Sequence, residues 1–138
     1  MDNITREQRS RNMRAIRSKD TSIELILRRE LFLRGVRYRV HKTYCGVSCD
    51  ISMAKYKLAI FCDGDFWHGK SYVNHPPETN KKYWDEKIAR NKERDLEQTI
   101  LLRDNGWVVL RFWESDIRRN KQKCVDEIIR MIEKRKKV

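Results

Sequence analysis

Residues 57–70 read KLAIFCDGDFWHGK. From Lys57 to Phe61 the run is nearly all apolar, the composition of a strand buried on both faces and therefore central in its sheet. The Asp-Gly-Asp sequence at 63–65 breaks that pattern and opens a loop. Phe66 and Trp67 then follow where no buried strand can hold them, with His68 and Gly69 directly after. A strand that runs into acids, large aromatics and a histidine is the feature around which the rest of the chain can be read.

Upstream, CDISM (49–53) is a second strand, and the short link Ala54-Lys55-Tyr56 makes the two a hairpin. VRYRV (36–40) alternates apolar and basic residues, the pattern of a half-buried strand. Before it, DTSIELILRRELFLRG (20–35) predicts a helix. Thr21 and Glu24 fit a capping box. Ile23, Ile26, Leu27, Leu31 and either Phe32 or Leu33 supply an apolar stripe, and Gly35 is a C-terminal stop. Downstream, a loop carrying His75-Pro76-Pro77 extends to about residue 79. A long helix follows over 80–105, expected to turn Ile88, Leu96, Ile100 and Leu101 inward, with Gly106 ending it. WVVLRFW (107–113) is a fourth strand, and DEIIRMIEKRKK (126–137) closes the chain as an amphipathic helix. The order α-β-β-β-α-β-α predicts an α/β sandwich around a central mixed β-sheet flanked by helices.

At 138 residues the chain fits one domain, 1–138, with residues 1–19 a basic arm. Lys and Arg number 32 against 20 Asp and Glu, a net charge of +12. That excess points to a polyanionic partner such as DNA or RNA, although charge alone also fits a solubilising surface. In the arm, Met13 and Ile16 stand at helical spacing beside Arg11, Arg14 and Arg17, which reads either as a segment lying on phosphates or as a frayed terminus. No apolar run approaches the roughly 18 residues of a membrane span. The polar, acid-containing start is no signal peptide, so an intracellular protein is expected. Cys45, Cys49, Cys62 and Cys124 form no CxxC pair, which argues for free thiols rather than a zinc site.

Asp50 lies near the start of one hairpin strand and Cys62-Asp63 end its partner, so antiparallel pairing can bring Asp50 and Asp63, with Glu24 as a further member, into an oxygen-lined cluster. Mg²⁺ prefers such ligands, and a metal ion there can activate water and stabilise the leaving oxygen of a phosphodiester. His68 is a candidate general base. Each also has a plainer reading: Glu24 as a cap, Asp50 as a strand-end acid, His68 as a loop histidine. Phe66 and Trp67 can either tuck back onto the core or wedge between base pairs. Their position beside candidate metal ligands in a basic chain favours the wedge.

Five blocks in order, RSRNMRAIRSKDTSIE, the Asp50 strand, IFCDGDFWHG, YWDEKIARNKERD and GWVVLRFWES, resemble the very-short-patch-repair (Vsr) mismatch endonucleases over nearly the full length. The resemblance implies a restriction-endonuclease-like three-layer sandwich and a metal-dependent enzyme that nicks one DNA strand beside a T·G mismatch. It makes Asp50 the metal-binding aspartate and Cys62 a second ligand through its backbone carbonyl, with Mg²⁺ or Mn²⁺ as the ion. His68 corresponds to the catalytic histidine and Glu24 to a helix acid of the site. Asp63 stands where a histidine is usual and would hold a metal-bound water. Met13, Phe66 and Trp67 correspond to the intercalating wedge, and Trp84, Lys87 and Asn91 to a helix reading the mismatch. Arg11 and Arg14 would meet phosphates. The zinc-binding members' ligand positions read Asp65, Lys70, Tyr72 and Ser115 here, so no structural zinc is expected. The implied setting is a monomer in the bacterial cytoplasm, at the nucleoid and off the membrane, linked to a DNA cytosine methyltransferase and to mismatch-repair proteins. Two rivals stay open: an endonuclease of this fold without mismatch specificity, and an inactive DNA-binding module.

Overall fold

The structure is a computed structural model and describes residues 21–65, 70 and 80–136. Helix α1 spans Ser22–Leu33 and is opened by the capping box: Thr21 Oγ1 accepts from the Glu24 N–H, and Glu24 Oε2 accepts from the Thr21 N–H at 2.9 Å. Two strands follow, β1 at Arg39–Tyr44 and β2 at Val47–Met53, and a single 3-10 turn at Ala54–Tyr56 leads into β3 at Leu58–Asp63. Helix α2 (Lys81–Asp104) carries the chain over to β4 (Val108–Trp113). A short α3 (Glu114–Arg119) and then α4 (Lys121–Lys136) complete the described chain.

The sheet order is β1-β2-β3-β4. The first three strands pair antiparallel, and β4 lies parallel to β3. The mostly apolar β3 is thus internal, as its composition requires. Alternation along β3 separates two cores. Leu58, Ile60 and the partly buried Cys62 face a cluster with Ile23, Leu27 and Leu31 of α1, Ile117 of α3 and Val125, Ile128 and Ile132 of α4. Ala59 and Phe61 face the other way, onto Leu102 of α2, Trp107 and Val109. Helices on both faces of a mixed sheet make the three-layer sandwich that the element order predicts.

Three expectations need correction. Strand β1 begins at Arg39 rather than Val36. Gly35, at φ +81°, stops α1 in the left-handed region that glycine adopts without strain, and the Val36 N–H bonds back to Leu31 O at 2.9 Å. Val36 therefore closes the helix end, and residues 36–38 link it to the strand instead of starting it. Phe32 and Leu33, offered as alternatives for the buried stripe, are both exposed, and the Arg37 guanidinium lies over the Phe32 ring at 4.1 Å. On α2, Ile88 is buried as expected, but Leu96, Ile100 and Leu101 are 61 %, 49 % and 44 % exposed. The inward face instead runs through Ile88, Thr99 and Leu102, with Asp95 partly buried between them. Counting apolar residues misplaced this face because it is partly polar, built to hold an arginine of β4.

No helix among the described residues is long and apolar enough to cross a membrane. The corrected face of α2 predicts unequal truncations on one helix. Leu102→Ala should lower the unfolding free energy by about 2–5 kcal/mol, while Leu96→Ala stays within about 0.5 kcal/mol of the parent. Urea denaturation of the two variants checks this.

Candidate active site

The hairpin β2–β3 is fully laddered only at its closed end. Its pairing runs from Met53↔Leu58 to Ile51↔Ile60 and stops there. Two residues beyond Ile60, the Cys62 N–H has no ladder partner on β2, and the Asp50 carboxyl takes it: Cys62 N donates to Asp50 Oδ2 at 2.9 Å. A buried N–H must find an acceptor, and here the acceptor is a side chain placed across the sheet by the hairpin itself. At the same point β2 rolls. Val47 and Cys49 pack in the α2-side core, whereas Ile51 and Met53 pack in the α1-side core. Strict alternation would put all four on one face.

Glu24 reaches this spot from the first turn of α1. It is 1 % exposed, the most completely buried acid among the described residues. Its Oε2 caps the helix and also lies 3.5 Å from Arg28 Nη2. Burial pushes the Asp50 carboxyl up to about 8, with the charge and hydrogen bond of Glu24 and the charge of Asp63 adding to the shift against the opposing Cys62 N–H. Burial also raises the Cys62 thiol, reinforced by Asp50, Glu24 and Asp63, so it stays neutral. A third group joins the two acids. A ring nitrogen of His41 and one carboxylate oxygen from each of Glu24 and Asp50 all lie within 4.8 Å of one another. Sequence reading missed His41 because it ended the first strand at residue 40. The usable signal was register: in this hairpin position 41 falls opposite Asp50.

Asp63 follows Cys62 on β3 and so points to the opposite face. Its two oxygens lie 3.1 and 3.3 Å from Arg111 Nη1. The same guanidinium donates to Thr99 Oγ1 at 2.9 Å and to the Asp95 carbonyl at 3.1 Å, and stacks on Phe61 at 4.2 Å. This is the polar holding point of α2.

Trp84, Lys87 and Asn91 sit half-buried on the inward side of α2, in line with Ile88. The Trp84 ring meets Tyr83 edge-on at 5.1 Å, and Lys87 Nζ lies 5.8 Å from the Tyr83 ring and 6.0 Å from the Trp84 ring. Asn91 Oδ1 accepts from Arg94 Nη2 at 3.4 Å. Three of the four positions matched to zinc ligands also converge. Asp65 Oδ1 accepts from the Ser115 N–H at 3.2 Å, Lys70 Nζ donates to Ser115 Oγ, and Lys70 lies 3.7 Å from Asp116. Met13, Arg11, Arg14, Phe66, Trp67, His68 and Tyr72 lie outside the described residues.

An acidic cluster where helix α1 meets the hairpin of a three-layer α/β sheet, with Asp50 in the middle of β2, suits an enzyme acting on nucleic acid in a chain of charge +12. Comparison with known proteins agrees. The family model "DNA mismatch endonuclease Vsr" matches residues 1–74. The type II nicking enzyme V.NmeDIP of Neisseria meningitidis serogroup C is 38 % identical over 138 residues, spanning 99 % of this chain and 93 % of that protein. The type II nicking enzyme V.HpaIIP of Haemophilus parainfluenzae is 41 % identical, covering 81 % of this chain and 82 % of that one. The DNA mismatch endonuclease Vsr of Escherichia coli K12 is 39 % identical, over 74 % of this chain and 66 % of its own length. The chain belongs to the Vsr family of DNA mismatch endonucleases.

The raised Asp50 carboxyl has a stability consequence with a definite sign. Folded protein holds a proton on Asp50 that unfolded chain releases above its ordinary pKa of 3.8. This contribution is complete below about pH 4 and is lost as pH rises towards about 8. Metal-free protein should therefore melt at progressively lower temperature from pH 5 to pH 8, and Asp50→Asn should flatten that decline. Thermal unfolding across the series in chelator measures both slopes.

Proposed function

We propose that this endonuclease nicks one strand of duplex DNA beside a T·G mismatch, the incision that starts very short patch repair, with Mg²⁺ or Mn²⁺ as cofactor. The observation that carries the reading is the contact of the buried Glu24 with the partly buried Asp50 beside the end of β3, the strand that leads into Phe66, Trp67 and His68. Two carboxyl groups in contact, beside an imidazole, form a donor set that suits a divalent cation. Asp50 and Glu24 would hold it together with the Cys62 carbonyl, since a neutral thiol is a poor ligand for a hard ion. Bound there, a divalent ion supplies positive charge to the phosphodiester oxygens.

The chain's own groups take the remaining roles. His68 accepts the proton of the attacking water. Asp63 acts through its Arg111 ion pair, fixing the end of β3 against α2 rather than holding a metal-bound water. Phe66, Trp67 and Met13 wedge into the duplex, where a wobble pair with weakened stacking lowers the cost of deformation. Trp84, Lys87 and Asn91 border the wedge from α2, and Arg11 and Arg14 hold phosphates. A DNA cytosine methyltransferase fits as functional partner, because deamination of 5-methylcytosine leaves thymine opposite guanine. Mismatch-repair proteins would share the lesion. A single nick needs one active site, which supports a monomer working in the cytoplasm at the nucleoid. The Asp65–Lys70–Ser115 cluster takes over from a structural zinc. Elemental analysis should find no zinc held through dialysis against chelator, and one tightly held zinc per chain overturns that assignment. A second reading, nicking without T·G preference, draws on the relatives named as type II nicking enzymes.

End-labelled duplexes, one with a T·G mismatch and one fully paired, separate these readings. The mismatched duplex alone should be nicked, only with divalent metal, and at least about a hundredfold more slowly by Asp50→Ala. Trp67→Ala should erase the preference between the two duplexes, whereas Arg14→Ala should weaken binding to both and reduce its salt dependence. Equal nicking of both duplexes by the parent enzyme favours the second reading.

A further inference from the structure

The β1–β2 ladder has one gap. Val40 pairs with Ile51 and Lys42 with Cys49, so His41 and Asp50 stand opposite each other between two intact pairs. The gap coincides with a backbone feature: His41 has φ +50°, the left-handed region, inside a strand whose neighbours are extended. A non-glycine residue in that region is uncommon, and in regular pleated backbone it carries strain. The turn takes the imidazole out of the alternating pleat. The result is a ring nitrogen within 4.8 Å of carboxylate oxygens from both Glu24 and Asp50. The three groups come from different elements: α1, β1 and β2. Only the packing of helix against hairpin brings them together.

We infer that His41 is a ligand of the divalent ion held by Glu24 and Asp50, making a one-imidazole, two-carboxylate site that selects Mn²⁺ or another first-row transition ion over Mg²⁺. This rests on the reading of that cluster as the cation site, and adds to it the identity of a third ligand and the preference that follows. Metal–ligand bonds of about 2.0–2.2 Å put the ligands of one ion no more than about 4.0–4.4 Å apart, within the 4.8 Å that bounds these three atoms. Mg²⁺ takes oxygen almost exclusively, whereas imidazole suits transition ions.

Mn²⁺ supplies the probe. Full-length, chelator-stripped protein is titrated with Mn²⁺ and with Mg²⁺ by calorimetry, and the Mn²⁺ form is examined by pulsed electron paramagnetic resonance for ¹⁴N coupling. The variants are His41→Gly, which keeps the left-handed backbone free of strain, His68→Ala and Asp50→Ala. The expected result is one Mn²⁺ bound more tightly than Mg²⁺, with directly bonded imidazole nitrogen in the parent and in His68→Ala. That coupling should vanish in His41→Gly, with Mn²⁺ affinity lower by at least about tenfold, since even an outer partner of a ligand is worth roughly 10–100-fold. Mg²⁺ affinity should fall less. Mn²⁺ that binds through Asp50 without nitrogen coupling, and equally well in His41→Gly, overturns the assignment and leaves His41 a counter-ion. Failure of the parent to bind either ion overturns the cation site itself along with it.

Discussion

One hydrogen bond organises the active end of this enzyme: the Cys62 N–H donating to the Asp50 carboxylate. It exists because the β2–β3 ladder ends at Ile51↔Ile60 while β3 continues to Asp63 alongside β4. The unpaired edge of β3 leaves a donor that must be satisfied in a buried place. Using a carboxylate for this purpose puts a charge where charge is costly. The proton held on Asp50, and its relief by a cation, both follow from that. An asparagine could satisfy the same N–H, but it could not draw in an ion.

The sheet then keeps two kinds of polar chemistry apart. Cys62 and Asp63 are neighbours in sequence but face opposite layers. On the α1 side the acids Glu24 and Asp50 meet, with Arg28 Nη2 3.5 Å from Glu24. On the α2 side Asp63 is met at close range by Arg111, which Thr99 and Asp95 also hold. A carboxylate held directly on a guanidinium has its charge balanced, whereas two carboxyls pressed together raise each other's cost of ionisation. Burial alone does not distinguish them, since both Glu24 and Asp63 are buried acids. What differs is the company each keeps: Asp63 faces a guanidinium, whereas Glu24 faces a second carboxyl group as well as Arg28.

Much of this was legible beforehand. The capping pair Thr21–Glu24, the internal position of β3, the hairpin through Ala54–Tyr56 and the stop at Gly35 each follow from local rules that act within a few residues. What was misread depended on distant partners. Leu96, Ile100 and Leu101 read as core, yet α2 turns a mixed face inward because Arg111, on another element, needs acceptors there. Asp63 read as part of the acidic cluster because hairpin geometry suggests nearness, while the side-chain alternation of β3 sends it to the other layer. His41 went unread because its role depends on register, which a strand placed three to four residues too early conceals.

By itself, then, the sequence determined the elements, their order, the basic character of the surface and the family, because propensity, capping, apolar period and motif order are properties of the chain taken a few residues at a time. The tertiary structure decided which acids share a site and which are neutralised, and it alone brought His41 to Glu24 and Asp50. Those outcomes turn on distances of a few ångströms between residues 9 to 48 positions apart. Electrostatics at that range is set by packing: only when α1 lies against the hairpin do two acids and an imidazole become one site.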